Sequence, residues 1–173
     1  LVYGLSGELR LDRIAAALGG GKIDPLLVAA LVMVLTRFGF KVAAAPFHLW
    51  APDAYQGAPI PSAALIASGS KVAGFFILGK VMMTGFKGAE GSVSFNHFSP
   101  GWVSLMAVVA VLSVVLGNLA ALAQSSVRRL LAYSAIAQAG YVLVGLMGGG
   151  APAMASVLYY ATTYAVTVLG AFG

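Results

Sequence analysis

The stretch Phe40–Lys71 reads FKVAAAPFHLWAPDAYQGAPIPSAALIASGSK. It sets four prolines (Pro46, Pro52, Pro59 and Pro61), together with His48, Trp50, Asp53 and Tyr55, between two apolar runs. Proline has no amide hydrogen and its ring clashes with the preceding turn, so Pro46 must end or break the helix that reaches it. The run before it extends from Pro25 to about Ala45 and holds Arg37 and Lys41. Asp24 followed by Pro25 is a helix start, with aspartate as the cap and proline in the first turn. The run after the prolines extends from about Ser62 to Met83, with Lys71 near its middle and Lys80 near its end.

Composition says what solvent these runs face. Of the 173 residues, 60% are hydrophobic and 9% charged, where a soluble domain carries about 25% charged residues. The mean hydropathy of +0.94 agrees. A span needs about 20 apolar residues, so the chain has room for some five spans. A third, uncharged span is expected from Gly101 to Ala123, a fourth from Arg128 to Met147, and a fifth from Pro152 to Gly173. Between the third and fourth, Gln124–Val127 make a tight turn in which Ser125 or Ser126 caps the next helix. Residues 84–100 read as a polar loop with Lys87, Glu90, Asn96 and His97. Residues 1–24 read as an amphipathic surface segment. Leu9, Ile14 and Leu18 form its apolar edge, Glu8, Arg10, Asp12 and Arg13 lie in water, and Gly19, Gly20 and Gly21 end it. The expected fold is an all-α, polytopic transmembrane helix bundle with one broken helix, the break covering residues 46–55. Leu1 opens no signal-peptide pattern, and Val168–Gly173 lie inside an apolar run, so both ends are expected to be cut from a longer protein.

Several functions are excluded. The net charge is +5, but the basic residues are scattered singly, without the stripe that nucleic-acid binding needs. With no cysteine, there are no disulfides and no thiolate-held iron–sulfur cluster. His48 and His97 are too far apart in sequence to suggest a metal motif, and no glycine-rich piece follows a strand as a phosphate loop would.

Lys71 carries the most chemistry. A lysine at mid-span costs ~2.5–3.5 kcal/mol on insertion scales, so it should face protein or a wet cavity. Ala63, Ala67, Ser70 and Gly74 form a small-residue ridge along the same helix, which lets a neighbour approach closely. Lys41 allows two readings: one turn from a helix end it snorkels, whereas before a mid-membrane break it is buried. Arg37 lies at i−4 from it, and two like charges on one face repel. His48 and Asp53 are either a proton relay or part of an interfacial loop. Ser134, Gln138 and Tyr141, at i, i+4 and i+7, make one polar stripe on the fourth span, either a helix-packing seam or a water-lined path.

The PFHLW-PD-YQGAP wording of Phe40–Lys71 resembles the antiporter-like subunits of respiratory NADH–quinone oxidoreductase (complex I), and subunit N most. The stretch Gly117–Leu146, GNLAALAQSSVRRLLAYSAIAQAGYVLVGL, and the end, YAVTVLGAFG, resemble it as well. This implies a fourteen-helix fold of which the chain holds roughly the seventh to eleventh helices. It implies a mid-membrane break at Pro46, with Lys41 therefore buried. Lys41 and Lys71 would belong to a central hydrophilic axis along which protons move through water, coupled to quinone reduction elsewhere in the complex. His48, Asp53, Ser134, Gln138 and Tyr141 are the candidate relay. The implied partners are the other membrane subunits, lipid, protons and water. Quinone, FMN, NAD and iron–sulfur clusters would sit in other parts of the complex, with no cofactor in this chain. The implied location is the inner membrane of a bacterium.

Two positions depart from the pattern. Gln138 is often histidine in subunit N and cannot titrate, and Arg37 is usually small or apolar there. The positive-inside rule favours the face of Arg10, Arg13, Lys22 and Lys87 as cytoplasmic, whereas the resemblance implies the reverse. The alternatives are a subunit of a cation/proton antiporter complex or membrane-bound hydrogenase, and a purely structural membrane subunit.

Overall fold

In the computed structural model, residues 1–19 and 24–173 are described. Five helical stretches are long and apolar enough to cross a membrane: Pro25–Val42, Ile60–Gly85, Trp102–Leu122, Val127–Met147 and Gly150–Phe172. The chain is thus an all-α polytopic bundle, as its composition requires.

Two short helices come first, α1 (Val2–Ser6) and α2 (Leu11–Leu18). Gly7, at φ 67°, ends α1, and α2 starts after Arg10. Leu9 therefore lies between helices and is 82% exposed, not part of an apolar edge, while Ile14 is buried. Arg10 pairs with Asp12 at 3.0 Å and Arg13 with Glu8 at 3.5 Å. Gly19 caps α2; Gly20, Gly21 and Lys22 lie outside the described residues.

Helix α3 (Pro25–Val42) starts as its sequence predicts, the Asp24 carboxylate accepting the Leu26 N–H. It stops three residues before Ala45, because Ala43 turns left-handed at φ 56°. The Ala43 and Ala44 N–H groups bond back to the carbonyls of Phe40 and Gly39, which closes the last turn. Irregular backbone follows, and the chain becomes helical again as α4 (Trp50–Gly57).

The next span is also interrupted. Helix α5 (Ile60–Ala67) gives way to α6 (Gly69–Lys80) at Ser68, whose backbone sits at φ −109°, ψ −89°. The Ser68 hydroxyl donates to the Ala64 carbonyl at 2.6 Å, the back-bonding that bends helices. A wider π-helical turn, Val81–Gly85, ends the span. The expected polar loop contains a small hairpin, β1 (Ser92–Ser94) against β2 (His97–Ser99). Trp102, 1% exposed, ties down the start of that loop by donating its indole N–H to the Phe86 carbonyl at 3.0 Å.

Helices α7 (Trp102–Leu122) and α8 (Val127–Met147) form a tight antiparallel pair. Ser126 is the N-cap of α8 by position, but its side chain makes no capping bond. A Cβ added to Gly117 would lie 2.6 Å from the Ala137 nitrogen, and one added to Gly140 would lie 2.8 Å from the Ala110 oxygen. Helix α9 (Gly150–Phe172) then runs back along α5, α6 and α8. At one end of the bundle α4, the start of α8 and the end of α9 meet; at the other lie α2 and the end of the α6 span.

Backbone contact between α7 and α8 makes a prediction. Gly140→Leu should force the helices apart and cost about 1–3 kcal/mol, the range for overpacking. Thermal unfolding of the detergent-solubilised protein should show it as a lowered Tm. Gly4→Leu, with nothing within 4 Å of its added Cβ, should change stability by less than about 0.5 kcal/mol.

Candidate functional site

A helix broken inside an apolar medium strands backbone donors and acceptors, which must then be satisfied by other protein groups. The Ala45 N–H donates to the Ser113 hydroxyl oxygen of α7 at 2.8 Å. Ser113 is fully buried, and its own hydroxyl donates to the Val109 carbonyl at 2.7 Å. The Phe40 carbonyl accepts the Trp50 indole N–H at 3.0 Å, and the two rings lie 5.5 Å apart. Phe47 covers Gly39, where an added Cβ would lie 2.8 Å from the ring. The aromatic residues of the proline-rich stretch thus seal the break.

Helix α4 is pinned at its outer end. Arg129 of α8 donates to the Asp53 carboxylate at 2.6 Å and to the Gln56 side-chain oxygen at 3.1 Å. Its Nε also donates to Gln124 at 3.2 Å, while Arg128 donates to the Gln56 backbone carbonyl at 3.1 Å. The PD-YQG and QSSVRR stretches therefore recognise each other.

Lys71 is 4% exposed and sits in the middle of the Ile60–Gly85 span. Its Nζ donates to the Ala135 carbonyl of α8 at 2.8 Å. The walls are mostly small and apolar (Ala67, Ala139, Ala161 and Ala165, with Phe75), and the polar groups are Ser68, Gln138 and Tyr164. A cavity of about 10 Å³ remains beside it, room for one water at most. Among the described residues no carboxylate pairs with this amine. Gln138 accepts a hydrogen bond from the Tyr160 hydroxyl, so α9 closes the site from the side.

Lys41 is placed differently. The resemblance implies burial, but Lys41 is exposed on this chain, at a cleft of about 690 Å³ shared with Arg37, Trp50, Ser70 and Gly74. Its stem packs on Gly74, with Cγ 3.5 Å from where a Cβ would be. Gly39 and Val42, on the inner side of the last turn of α3, share a small cavity with Leu143 of α8, whereas Lys41 is on the open side and no described residue covers its amine. Ser70 and Gly74 line the cleft, whereas Ser68 and Phe75 line the Lys71 cavity. The two lysines therefore lie on opposite faces of one helix, each near a different hydroxyl.

Other expectations are corrected. Pro46 is exposed and lies within the break, which begins earlier, at Ala43. His48 and Asp53 face different ways. His48 turns inward, 9% exposed, with its ring 6.4 Å from that of Tyr133, and Asp53 turns out to Arg129. The polar stripe divides: Gln138 borders the Lys71 cavity, while the half-exposed Tyr141 accepts from Asn118 of α7 at 3.2 Å. Ser134 lies beside Tyr164. His97 is exposed in the hairpin. Residues not singled out from sequence are Ser68, Ser113, Tyr160 and Tyr164. A signal existed: Ser113 is a hydroxyl midway along an uncharged span, and Tyr160 and Tyr164 repeat at i, i+4.

Five long apolar spans, a helix break sealed by protein groups and a lysine enclosed in the interior define a class: all-α polytopic membrane bundles. The chain belongs to the family described as NADH:quinone oxidoreductase/Mrp antiporter, TM, whose model matches residues 1–173. It is 57% identical over 173 residues to NADH-quinone oxidoreductase subunit N 2 of Acidobacterium capsulatum, covering all of this chain and 35% of that protein. It is 45% identical over 172 residues to NAD(P)H-quinone oxidoreductase subunit 2 of a Synechococcus species, covering 99% of this chain and 31% of that one. The chain thus spans about a third of the length of these relatives. Among solved structures, it resembles a chain of the membrane-bound sulfane sulfur reductase, an archaeal respiratory membrane complex. The TM-score is 0.75 with 26% identity, over 97% of this chain and 33% of that one. A chain of the Mrp complex from Dietzia sp. DQ12-45-1b shares the fold, with a TM-score of 0.80 at 20% identity, over 99% of this chain and 30% of that one.

The seal at the break is testable. Ser113→Ala should leave the Ala45 N–H buried and unpaired, a loss of about 1–3 kcal/mol. Thermal unfolding in detergent should report this as a lowered Tm. Thr163→Ala, which removes an exposed hydroxyl bonded only within its own helix, should leave the Tm close to that of the parent.

Proposed function

We propose that this chain is part of a proton-translocating membrane subunit of NADH–quinone oxidoreductase, working beside other membrane subunits in the plasma membrane of a bacterium. In this reading protons pass through Lys71 and Lys41, and quinone reduction elsewhere in the complex drives them. The observation that carries it is the Lys71 amine, buried at mid-span against one backbone carbonyl. An ammonium has three N–H donors, and the described residues give this one a single acceptor. Such a group is costly to keep in a membrane, and lysines held this way characteristically mark ion pathways and proton relays. The names of the relatives support the same assignment.

The chain's own residues suggest how the steps divide. Lys71 holds the proton in the interior, and the serine-bent joint at Ser68 gives its backbone freedom beside the cavity. Lys41, on the opposite face of α6, stands at an open cleft where an adjacent helix could bring a proton acceptor. A subunit of a cation/proton antiporter complex is the second reading, and the fold shared with the Mrp chain favours it. A purely structural subunit fits poorly, since such a lysine would be expected to snorkel and Lys71 is enclosed.

The test is Lys71→Ala in the complete subunit, assembled in its complex and reconstituted in vesicles. Proton uptake and the coupled quinone reduction should both fall at least tenfold while assembly persists. Lys71→Arg should fail similarly, because a guanidinium stays charged and does not release its proton. Wild-type pumping in Lys71→Ala would reject the proposal.

A further inference from the structure

Tyr55 of α4 is fully buried. Its ring packs edge-on against Phe172, with centroids 5.9 Å apart, but its hydroxyl finds no hydrogen-bond partner among the described residues. An orphan hydroxyl in an apolar interior costs about 1–3 kcal/mol, and in native proteins such a group calls for an explanation. Phenylalanine would give the same packing without that cost. Tyr164 of α9 packs against the same cluster of buried residues. Tyr164 is also one of the few polar groups lining the Lys71 cavity. Tyr164 thus borders both the Lys71 cavity and the buried cluster that holds Tyr55. Tyr55 lies on the inner side of α4, whose outer side carries the Asp53 carboxylate held by Arg129. A second orphan, the Nδ1 atom of His48, is buried at the start of the same segment beside Tyr133.

We propose that Tyr164 and Tyr55, with ordered water bound at the Tyr55 hydroxyl, form a proton-conducting limb between Lys71 and the end of the bundle closed by Arg129 and Asp53. The inference rests on the proposed function and adds to it a direction and two residues. A hydroxyl suits the task because it donates one hydrogen bond and accepts others at the same atom. Each hop takes a proton onto an oxygen lone pair and passes the original hydroxyl proton to the next oxygen. The file thus carries one proton with no net change in its members and no redox partner. The ring of Tyr55 shields the file from lipid, and the clamp on Asp53 and Gln56 holds α4 so that the hydroxyl stays aimed inward.

The experiment uses Tyr55→Phe, Tyr164→Phe and the double variant in the complete subunit within its complex, reconstituted in vesicles and read by a pH-sensitive dye. Each single variant keeps the ring and loses only the hydroxyl. Each should lower the rate of proton translocation at least fivefold at unchanged assembly, and the double variant should be no worse than either single one. The solvent isotope effect in D2O should rise, a readout that a packing defect would not move. Tyr159→Phe, an exposed ring outside the Lys71 cavity, should behave as the parent. Wild-type translocation and isotope effect in both single variants would overturn the inference. If Tyr55→Phe does not assemble, Tyr164→Phe, on a different helix, decides by the same readouts. Lys71→Ala, run alongside, separates the two levels. Normal flux there rejects the proposed function itself, whereas loss of flux there with silent tyrosine variants rejects only this limb.

Discussion

At membrane depth every backbone polar group must find a partner in the protein, and the positions of the helix breaks depend on which partners are available. A continuous helix satisfies itself, so each interruption here needs a device. At the first break the devices are the Ser113 hydroxyl for Ala45 and the Trp50 indole for Phe40. At the second, Ser68 turns its own hydroxyl back onto Ala64. Each break thereby costs little, and each lies close to a lysine: Lys41 two residues before Ala43, and Lys71 three residues after Ser68. Broken helices in membrane proteins commonly accompany transport sites. Here the breaks place irregular backbone close to the two lysines, with freed backbone groups of the first break paired to protein side chains.

The close helix packing serves the same site. Gly117 and Gly140 let α7 and α8 touch through their backbones, so van der Waals contact holds the pair where hydrophobic transfer contributes little. The pair is the frame. Ser113 projects from one of its helices to the break, and the Ala135 carbonyl projects from the other to Lys71. Tryptophan and arginine fasten the remaining pieces to it: Trp102 the start of the polar loop at Phe86, and Arg129 the outer end of α4. Because the Asp53 carboxylate is largely exposed, that ion pair contributes on the order of 0–1 kcal/mol, and burial of Ala51 and Tyr55 must hold α4 as well.

Much of this was legible in the residues. Low charge and long apolar runs announced a bundle of spans, and the prolines from Pro46 to Pro61 announced a break. A lysine in mid-span announced a buried amine, because few alternatives exist at that depth. What could not be read was direction. His48 and Asp53 are close in sequence, but the turn before α4 points the first to the core and the phase of α4 points the second to Arg129. The i, i+4, i+7 spacing put Tyr141 on a stripe with Gln138, yet α7 lies close enough for Asn118 to take the tyrosine hydroxyl. The break at Ser68 was invisible, since a serine in a helix usually stays helical and only its rotamer and neighbours turn it into a joint. Lys41 shows the other limit. The resemblance implied a buried amine from the whole protein's fold, whereas the described residues alone leave that face of α3 open.

The separation of the two lysines by a single helix has an electrostatic consequence. A helix with its side chains is about 10–12 Å across, so groups on its opposite faces are roughly 10 Å apart. At an effective dielectric constant near 20, two unit charges at that distance interact by about 1.7 kcal/mol. That exceeds the 1.4 kcal/mol that changes a protonation equilibrium tenfold. The Lys71 site is lined mostly by alanines, with Ser68, Gln138 and Tyr164 as neutral polar groups and no carboxylate among the described residues, so such a field meets no local counter-charge. Arg37 stays charged and shares the cleft with Lys41, so it adds a constant positive bias at that face. Under the proposed function, such a field would let a charge at one amine act on the other across α6 without contact.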